Sequence, residues 1–295
     1  LSFLFCSGVW AEEEEDVTPP SPSELLSRIS LFDPLGRTLN SLEEAVPGLI
    51  IKGLLRNRNR INLHRTQDLG FDNPESGLGR RRTDRFPSIE WLGEMELRYR
   101  PSSYLELVNV NNFLYDAAFD WTSSDYPGHV ERKLKYYRSD DRILRELYAT
   151  LFYNNWEVKA GKQQLVWGKM DGKVIDLINP SDTRYAALET QDNYEWTRLP
   201  LWMLNVTHSW SDSYLQLLWI PHYRSAEGPP LGGPYSFRLP PLPSSTRRLT
   251  RDEPSASFRN HEWGVRANTV QRGWDVSFVY FYTWNDVPTL FRRGS

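Results

Sequence analysis

The chain has 295 residues, enough for one large domain or two ordinary ones. Its net charge of −3 offers no basic field for nucleic acid, and no apolar run reaches the ~18–20 residues of a membrane-spanning helix. A mean hydropathy of −0.58 combined with 12 Trp and 15 Tyr is unusual for a soluble core. The mixture suits a transmembrane β-barrel, in which polar lumen residues offset the lipid-facing ones in the average.

The first eleven residues predict secretion. Residues 1–11 resemble the end of a signal peptide, because the apolar Leu1–Phe5 and small residues precede the acidic run Glu12–Asp16. Cys6 is the single cysteine and would be removed with this segment. The mature chain would then have no disulfide or cysteine–metal site.

Residues 12–47 are acidic and then rich in proline and serine. This composition predicts a linker or a small plug, partly helical over residues 24–32 and 39–46. From residue 48 to residue 295 we expect an outer-membrane β-barrel.

Strand-like alternation dominates the rest of the chain. Trp91, Leu97 and Tyr99 share one face of a segment whose other face is charged. The period-two pattern predicts nine antiparallel strands, over residues 49–65, 87–100, 103–115, 143–154, 156–167, 200–210, 213–223, 259–270 and 273–284.

The connections between these segments alternate between short and long. Tight turns are predicted at residues 101–103, 154–155, 211–213 and 271–273, and long loops join the other ends. Such alternation is typical of a barrel with periplasmic turns and extracellular loops, whereas a soluble β-sandwich has no reason to show it. Nine strands are an odd number, so we expect an incomplete barrel whose C-terminal part is missing, with the first and last strands as free edges.

The alternation also predicts which side chains face lipid. We expect twelve apolar residues to point outward, namely Trp91, Leu97, Tyr99, Leu147, Leu151, Leu215, Leu217, Trp263, Val265, Val276, Phe278 and Tyr280. The predicted pore-lining residues are Arg56, Arg58, Arg60, Glu94, Glu96, Arg98, Glu146, Gln216, Glu262 and Arg266. Rows of opposite charge can select ions by charge, or they can simply neutralise each other as salt bridges, and both interpretations stay open.

One segment carries a distinctive motif. A strand ending in Gly161, Lys162, Gln163, Trp167 and Gly168 is followed by Ile175 and by a turn with Asn179, Pro180 and Asp182. This pattern resembles an uncharacterised family of porin-like proteobacterial outer-membrane proteins. The resemblance implies a porin-type barrel and no settled substrate. We expect Gln163 and Trp167 to stabilise the barrel, with Trp167 suited to an aromatic girdle at the membrane interface.

The loop after Trp167 is a candidate constriction. It combines an apolar stretch over residues 174–178 with charges at Lys169, Asp171, Lys173, Asp176, Asp182 and Arg184. Porins narrow their channel with a long loop folded into the lumen. The hypothesis is therefore that residues 168–184 fold inward, and its alternative is an ordinary surface loop.

Catalytic and metal motifs are not found in the sequence. The five histidines lack metal spacing, and the acidic loop from Asp171 to Asp182 lacks the pattern of a calcium loop. A grouping of His208, Ser209 and Asp212 is the one candidate for an outer-membrane hydrolase, and its predicted periplasmic turn argues against it.

The sequence therefore predicts a passive channel for small solutes in the outer membrane of a Gram-negative bacterium, with no chemistry and no cofactor. Its partners would be outer-membrane lipid, a solute that the sequence does not identify, and possible further copies of itself. The first alternative is a structural barrel that docks or sheaths another protein, such as an export or electron-transfer conduit. The second is a barrel enzyme.

Overall fold

The computed structural model describes residues 33–61, 88–121, 128–136, 140–167, 177–184, 194–230 and 253–286. The predicted signal segment and most of the linker lie outside these residues. Helix α1 (Asp33–Ala45) comes first. The strands are β1 (Leu49–Arg60), β2 (Ser88–Ser102), β3 (Leu105–Asp116), β4 (Leu144–Tyr153), β5 (Trp156–Gln163), β6 (Leu201–Trp210), β7 (Ser213–Ile220), β8 (Glu262–Gln271) and β9 (Trp274–Tyr282). Short helices are α2 (Ala118–Trp121), α3 (Gly128–Leu134), α4 (Asp140–Ile143) and two 3-10 turns, Tyr194–Thr197 and Phe258–Asn260.

The nine strands form one antiparallel sheet in the order of the chain. This confirms the predicted number, order and direction of the strands. β1 and β9 lie at the two ends of the sheet and do not pair with each other in the described residues, so the sheet is open and its edges are the two predicted. The turn residues Asn154, Ser211 and Arg272 have φ values of 50°, 47° and 51°, as two-residue hairpin turns require.

The prediction for β5 was four residues too long. The strand ends at Gln163 because the side chain of Asn179 takes over the backbone of Leu165, donating to its carbonyl at 2.6 Å and accepting from its N–H at 3.4 Å. The chain then leaves the sheet before Trp167. The alternation of side chains predicts a strand here, but it does not reveal that the side-chain amide of Asn179 bonds this backbone in place of a neighbouring strand.

The sheet separates its side chains into two faces. All twelve residues predicted to point outward share one face by their register, and we call it the aromatic face. The charged residues predicted to line the pore lie on the opposite face, which we call the polar face, whereas Lys162 shares the register of the aromatic face. The aromatic face is exposed: Leu151 keeps 53% of its surface and Phe278 keeps 68%. In a soluble β-sandwich these twelve apolar residues would be buried in a dry core. The described residues do not form such a core around them.

Helix α1 leads into the first strand. It begins at Asp33, six residues before the predicted start, and its Glu43 accepts a hydrogen bond of 2.6 Å from the N–H of Ile51 on the edge strand β1. Gly48 follows with φ of 86°, and a Cβ there would lie 2.3 Å from the carbonyl oxygen of Arg100. Among the described residues, no helix has the length and apolar character needed to span a membrane.

Candidate functional site

The polar face carries two kinds of polar group. On β1 to β3 it carries ion pairs between neighbouring strands. At the loop end, Arg58 and Arg60 both bind the fully buried carboxylate of Glu90, with 3.3 Å between Arg60 Nη1 and Glu90 Oε1. At the turn end, Arg98 lies 3.1 Å from Glu96 and 3.3 Å from Glu106. The charges there form a ladder in which neighbouring rows largely neutralise each other.

The predicted pore-lining residues share the polar face by their register. Arg56 lies opposite Leu92, whose neighbours Glu90 and Glu94 are on the same face, and Glu146 lies opposite Val110 of β3. Gln216 and Glu262 also belong to the polar face but are buried, so their side chains do not border open space. Glu262 instead accepts hydrogen bonds from Thr283 Oγ1 at 2.6 Å and from the N–H of Trp284 at 3.0 Å.

On β6 to β8 the polar face holds a neutral network. Gln216 donates to Asn205 Oδ1 at 3.0 Å and accepts a bond of 2.7 Å from the indole Nε1 of Trp167. Gly264 makes room for this indole, since a Cβ there would lie 2.7 Å from Trp167 Cη2. Phe281 packs against the indole edge-to-face, with ring centroids 6.0 Å apart.

The position predicted for Trp167 at a membrane-interface girdle is therefore wrong. The side chain is 1% exposed and lies on the polar face, because the chain leaves β5 early and turns across the sheet. Its expected role in stability is consistent with this position. The sequence held a signal that could have placed it: Gly264 interrupts an otherwise bulky strand at the point where the indole lands.

The other motif residues also anchor the β5–β6 connection. Gly161 has φ of 133°, and a Cβ there would lie 2.2 Å from the carbonyl oxygen of Leu147, so this position favours glycine. Lys162 is buried and donates to the carbonyl of Leu144 at 2.7 Å. Gln163 donates to the carbonyl of Met203 at 3.2 Å, and the carbonyl of Pro180 accepts from Leu199 at 2.8 Å. Gly168 lies outside the described residues.

Two parts of the β5–β6 connection, residues 177–184 and 194–199, lie against the polar face, and we call them the arm. Ile178 packs into a buried cluster of polar-face residues with Trp167, Leu201, Met203, Leu218 and Ile220. The 3-10 turn Tyr194–Thr197 reaches further. The carbonyl of Glu195 accepts from the guanidinium of Arg145 in β4, and the side chain of Trp196 hydrogen-bonds Glu94 on β2. The arm thus starts from β5 and touches β2, three strands away.

The constriction predicted over residues 168–184 is placed only in part. Lys169, Asp171, Lys173 and Asp176 lie outside the described residues. Arg184 is buried, the side chain of Asp182 keeps only 9% of its surface exposed, and the two bind each other, with 2.7 Å between Arg184 Nε and Asp182 Oδ1. Their burial removes the free lumen charge that was predicted for them. Leu177 is 48% exposed, so Ile178 is the described residue of the apolar stretch that packs on the sheet.

Burial raises the pKa of Asp182 from its ordinary 3.8 to about 7. Nearby Glu227 raises this pKa further, whereas Arg142 and Arg224 act in the opposite direction. The carboxyl group therefore titrates near neutral pH, inside the layer that holds the arm.

The sequence prediction missed the residues at the tip of the arm, Glu195 and Trp196, and their contact Arg145. Arg145 lies at a register shift between β3 and β4, where a bulge interrupts the alternation of faces. No period-two count could place its side chain. An indole in a polar loop, that of Trp196, was the available sign of packing in the sequence.

The grouping of His208, Ser209 and Asp212 as a hydrolase site has no geometric support. His208 lies on the aromatic face between two tryptophans, with its ring centroid 4.3 Å from Trp156 and 5.5 Å from Trp210. Ser209 is its neighbour in β6 and points to the opposite face. In the described residues, no group of three or more His, Cys, Asp or Glu side chains could hold a metal ion.

The fold defines an all-β protein with a single antiparallel nine-stranded sheet, and the sequence comparison adds its family. The chain belongs to the family described as "Protein of unknown function (DUF1302)", whose model matches residues 88–292. This match spans β2 to β9 and includes the arm. The comparison with curated proteins finds no match.

Proposed function

We propose that this protein is an outer-membrane β-barrel that acts as a passive channel for small solutes. In this proposal the aromatic face contacts lipid, the polar face borders the water-filled passage, and the arm narrows it. The resemblance of the motif around Gly161 and Trp167 to porin-like outer-membrane proteins supports the same function. The chain itself would carry no catalytic step.

The observation that carries the proposal is the order of side chains along the aromatic face. Aromatic residues lie near both ends of the strands, and aliphatic residues lie between them. In β6 the order is Trp202, Leu204, Val206, His208 and Trp210 on this face. The two tryptophans are eight residues apart, about 26 Å along a strand at ~3.3 Å per residue. At the tilt of about 35–45° that strands have in membrane barrels, this length spans roughly 20 Å across the membrane, close to the lipid-facing bands of about 25 Å that lie between aromatic girdles.

Neighbouring strands continue both aromatic belts. The loop-end belt consists of Trp91, Tyr115, Trp202, Trp219, Trp263 and Tyr282, and the turn-end belt consists of Tyr153, Trp156, Trp210 and Trp274. Some polar side chains on this face have partners within the sheet: Asn109, for instance, donates to the carbonyl of Glu146 at 3.4 Å, whereas Nδ1 of His208 has no hydrogen-bond partner among the described residues. A lipid-facing surface needs such pairing because hydrocarbon offers no hydrogen bonds.

Two adjacent residues of β9 test whether the aromatic face meets lipid. Phe278 and Ser277 are both exposed and point to opposite faces. Phe278→Arg should lower the free energy of unfolding from lipid vesicles by about 2–4 kcal/mol, the cost of an arginine near mid-bilayer. Ser277→Arg should change it little. Equal effects of the two substitutions would contradict a lipid-facing aromatic face.

Planar-bilayer recording of the purified full-length protein tests the channel itself. Discrete steps in current are expected as channels open. Their ion selectivity should change in Glu94→Gln, because Glu94 lies on β2 where the tip of the arm contacts the sheet. A protein that inserts into vesicles but stays electrically silent would favour the structural barrel that docks or sheaths another protein.

A further inference from the structure

The arm is held at a second place, apart from the contacts of Glu195 and Trp196, by one carboxylate. Glu227 lies in the connection between β7 and β8. Its carboxylate binds Arg142 in α4, lies 3.4 Å from Arg184 Nε in the arm, and lies 3.9 Å from Arg224 in its own connection. Three separate loop-end connections therefore meet at Glu227.

Backbone hydrogen bonds form a small layer around this carboxylate. The N–H of Thr183 donates to the carbonyl of Glu227, and the N–H of Glu227 donates to the carbonyl of Ser181, both at 2.8 Å. On the other side of the arm, the N–H of Asp182 donates to the carbonyl of Thr197 at 2.6 Å. Residues 225–227 thus border one half of the arm, and this half borders the half that carries Glu195 and Trp196.

The charges in this layer depend on Glu227. Three arginines face two carboxylates, those of Asp182 and Glu227, and Arg184 is 1% exposed. Neutralising Glu227 would leave three arginines with at most one carboxylate, since Asp182 titrates near neutral pH, in a poorly hydrated place where like charges repel strongly. Arg142 and Arg184 belong to different connections, so their repulsion would drive the connections apart while the strands keep their ladders.

We propose that Glu227 is a positioning residue that clasps the arm against the polar face and so sets how far the arm narrows the passage. The clasp itself rests on the contacts above. The effect on the passage rests also on the proposed channel function.

Hydrogen–deuterium exchange of the full-length protein in detergent tests the clasp without requiring a channel. In Glu227→Gln, backbone amides of residues 177–184 and 194–199 should exchange at least about tenfold faster, because local opening becomes easier. Glu227→Asp keeps the charge and should restore much of the protection. Amides of β6 and β7 should exchange as in the parent protein.

Glu131→Gln is the matched control. Glu131 binds Lys135 at 3.3 Å within one connection and, among the described residues, bridges no other connection, so its substitution should leave the exchange of the arm unchanged. Should Glu227→Gln fail to assemble, Arg142→Gln removes one cation of the clasp and should give a smaller acceleration. Arm exchange at the parent rate in the assembled variant, or equal acceleration in the control, would overturn the clasp.

Bilayer recordings then separate the two claims. Larger or more frequent open steps in Glu227→Gln than in Glu131→Gln would support the effect on the passage. Accelerated exchange with unchanged conductance would overturn that effect and leave the clasp. A parent protein that forms no channel would refute the proposed function, while the exchange experiment would still decide the clasp.

Discussion

The two halves of the polar face satisfy the hydrogen-bonding and charged groups of their side chains in different ways. On β1 to β3, arginines and glutamates pair across neighbouring strands, and most of these side chains keep part of their surface in solvent: Arg98 keeps 41% and Arg100 keeps 56%. On β6 to β8, amides bond each other beneath the buried indole of Trp167. One half is mostly charged and accessible, and the other is built around a neutral, covered network, with the charged Glu262 and Arg266 of β8 beside it.

The difference indicates which half of the polar face stabilises the fold and which half would border the path of solutes in the proposed channel. Buried neutral hydrogen bonds keep their strength without counter-charges, so the covered half can be packed tightly. Exposed ion pairs contribute little each but keep a surface wet. Within the proposed channel, solutes would therefore move along the charged half and past the tip of the arm, and the covered half would act as its support. The substitutions below test this division.

The largest effect is expected in the covered half. Trp167→Ala removes a buried indole from the space above Gly264 and leaves Gln216 without its donor. We expect a loss of about 3–5 kcal/mol in the free energy of unfolding, as for other buried Trp truncations. Chemical denaturation in detergent followed by circular dichroism measures it.

Trp167→Phe separates packing from hydrogen bonding at this site. The smaller ring keeps much of the contact with Phe281 but cannot donate to Gln216. A loss of about 1–3 kcal/mol is expected, the cost of one buried polar atom left unpaired. A loss in the free energy of unfolding no larger than that of a substitution at an exposed position would contradict this. It would mean that water takes the place of the indole N–H and that the polar face on β6 to β8 is open to solvent.

The sequence predicted the sheet well because strand alternation is a local property. Each strand shows its two faces in its own residues, and the turns at Asn154 and Ser211 interrupt the pattern where the chain reverses. Nine strands and both faces follow from these local signs. The pairing partner of each strand also follows, because hairpin turns join sequential neighbours.

The arm could not be predicted in the same way. Its position depends on contacts distant in sequence, such as Trp196 with Glu94 and Asp182 with Glu227. Charges at Asp182 and Arg184 look like solvated loop residues in the sequence, and only the fold shows that they are buried together. Burial, not residue type, decides whether a charge faces solvent or holds a loop.

The charged half also has buried carboxylates, Glu106 at 7% exposure and the fully buried Glu90, and the loss of Glu90 should have a large effect as well. Glu90 is fully buried and serves both Arg58 and Arg60. Glu90→Gln should lower the free energy of unfolding by about 2–3 kcal/mol, the lower end for a broken buried pair, because both arginines keep some solvent contact. Denaturation at low and high salt measures it. A value near zero would mean that Glu90 is as hydrated as the rest of its half.

A pH titration tests the layer that holds the arm. Because the pKa of Asp182 is raised to about 7, the folded protein keeps a proton between about pH 4 and 7 that the unfolded chain has lost. Stability should therefore fall as pH rises through this window, and Asp182→Asn should flatten that fall. Asp120 provides a control of opposite sign, since its hydrogen bond from Lys135 lowers its pKa. Asp120→Asn should remove stability at neutral pH and change the pH slope only in acid, where the parent protein loses this stability as Asp120 is protonated. A parent-like pH slope in Asp182→Asn would exclude Asp182 as the titrating group.

The smallest effect is expected at the exposed end of the charged half. Lys52 keeps 65% of its side-chain surface in solvent and lies 3.9 Å from Glu96, which also has Arg98 at 3.1 Å. Lys52→Met should change the free energy of unfolding by less than about 0.5 kcal/mol, because a hydrated pair gains little and Glu96 keeps its second partner. The measurement is the same denaturation used for Glu90→Gln. A loss as large as that of Glu90→Gln would show that the turn end is also sealed, and the division of the polar face into a wet half and a covered half would no longer hold.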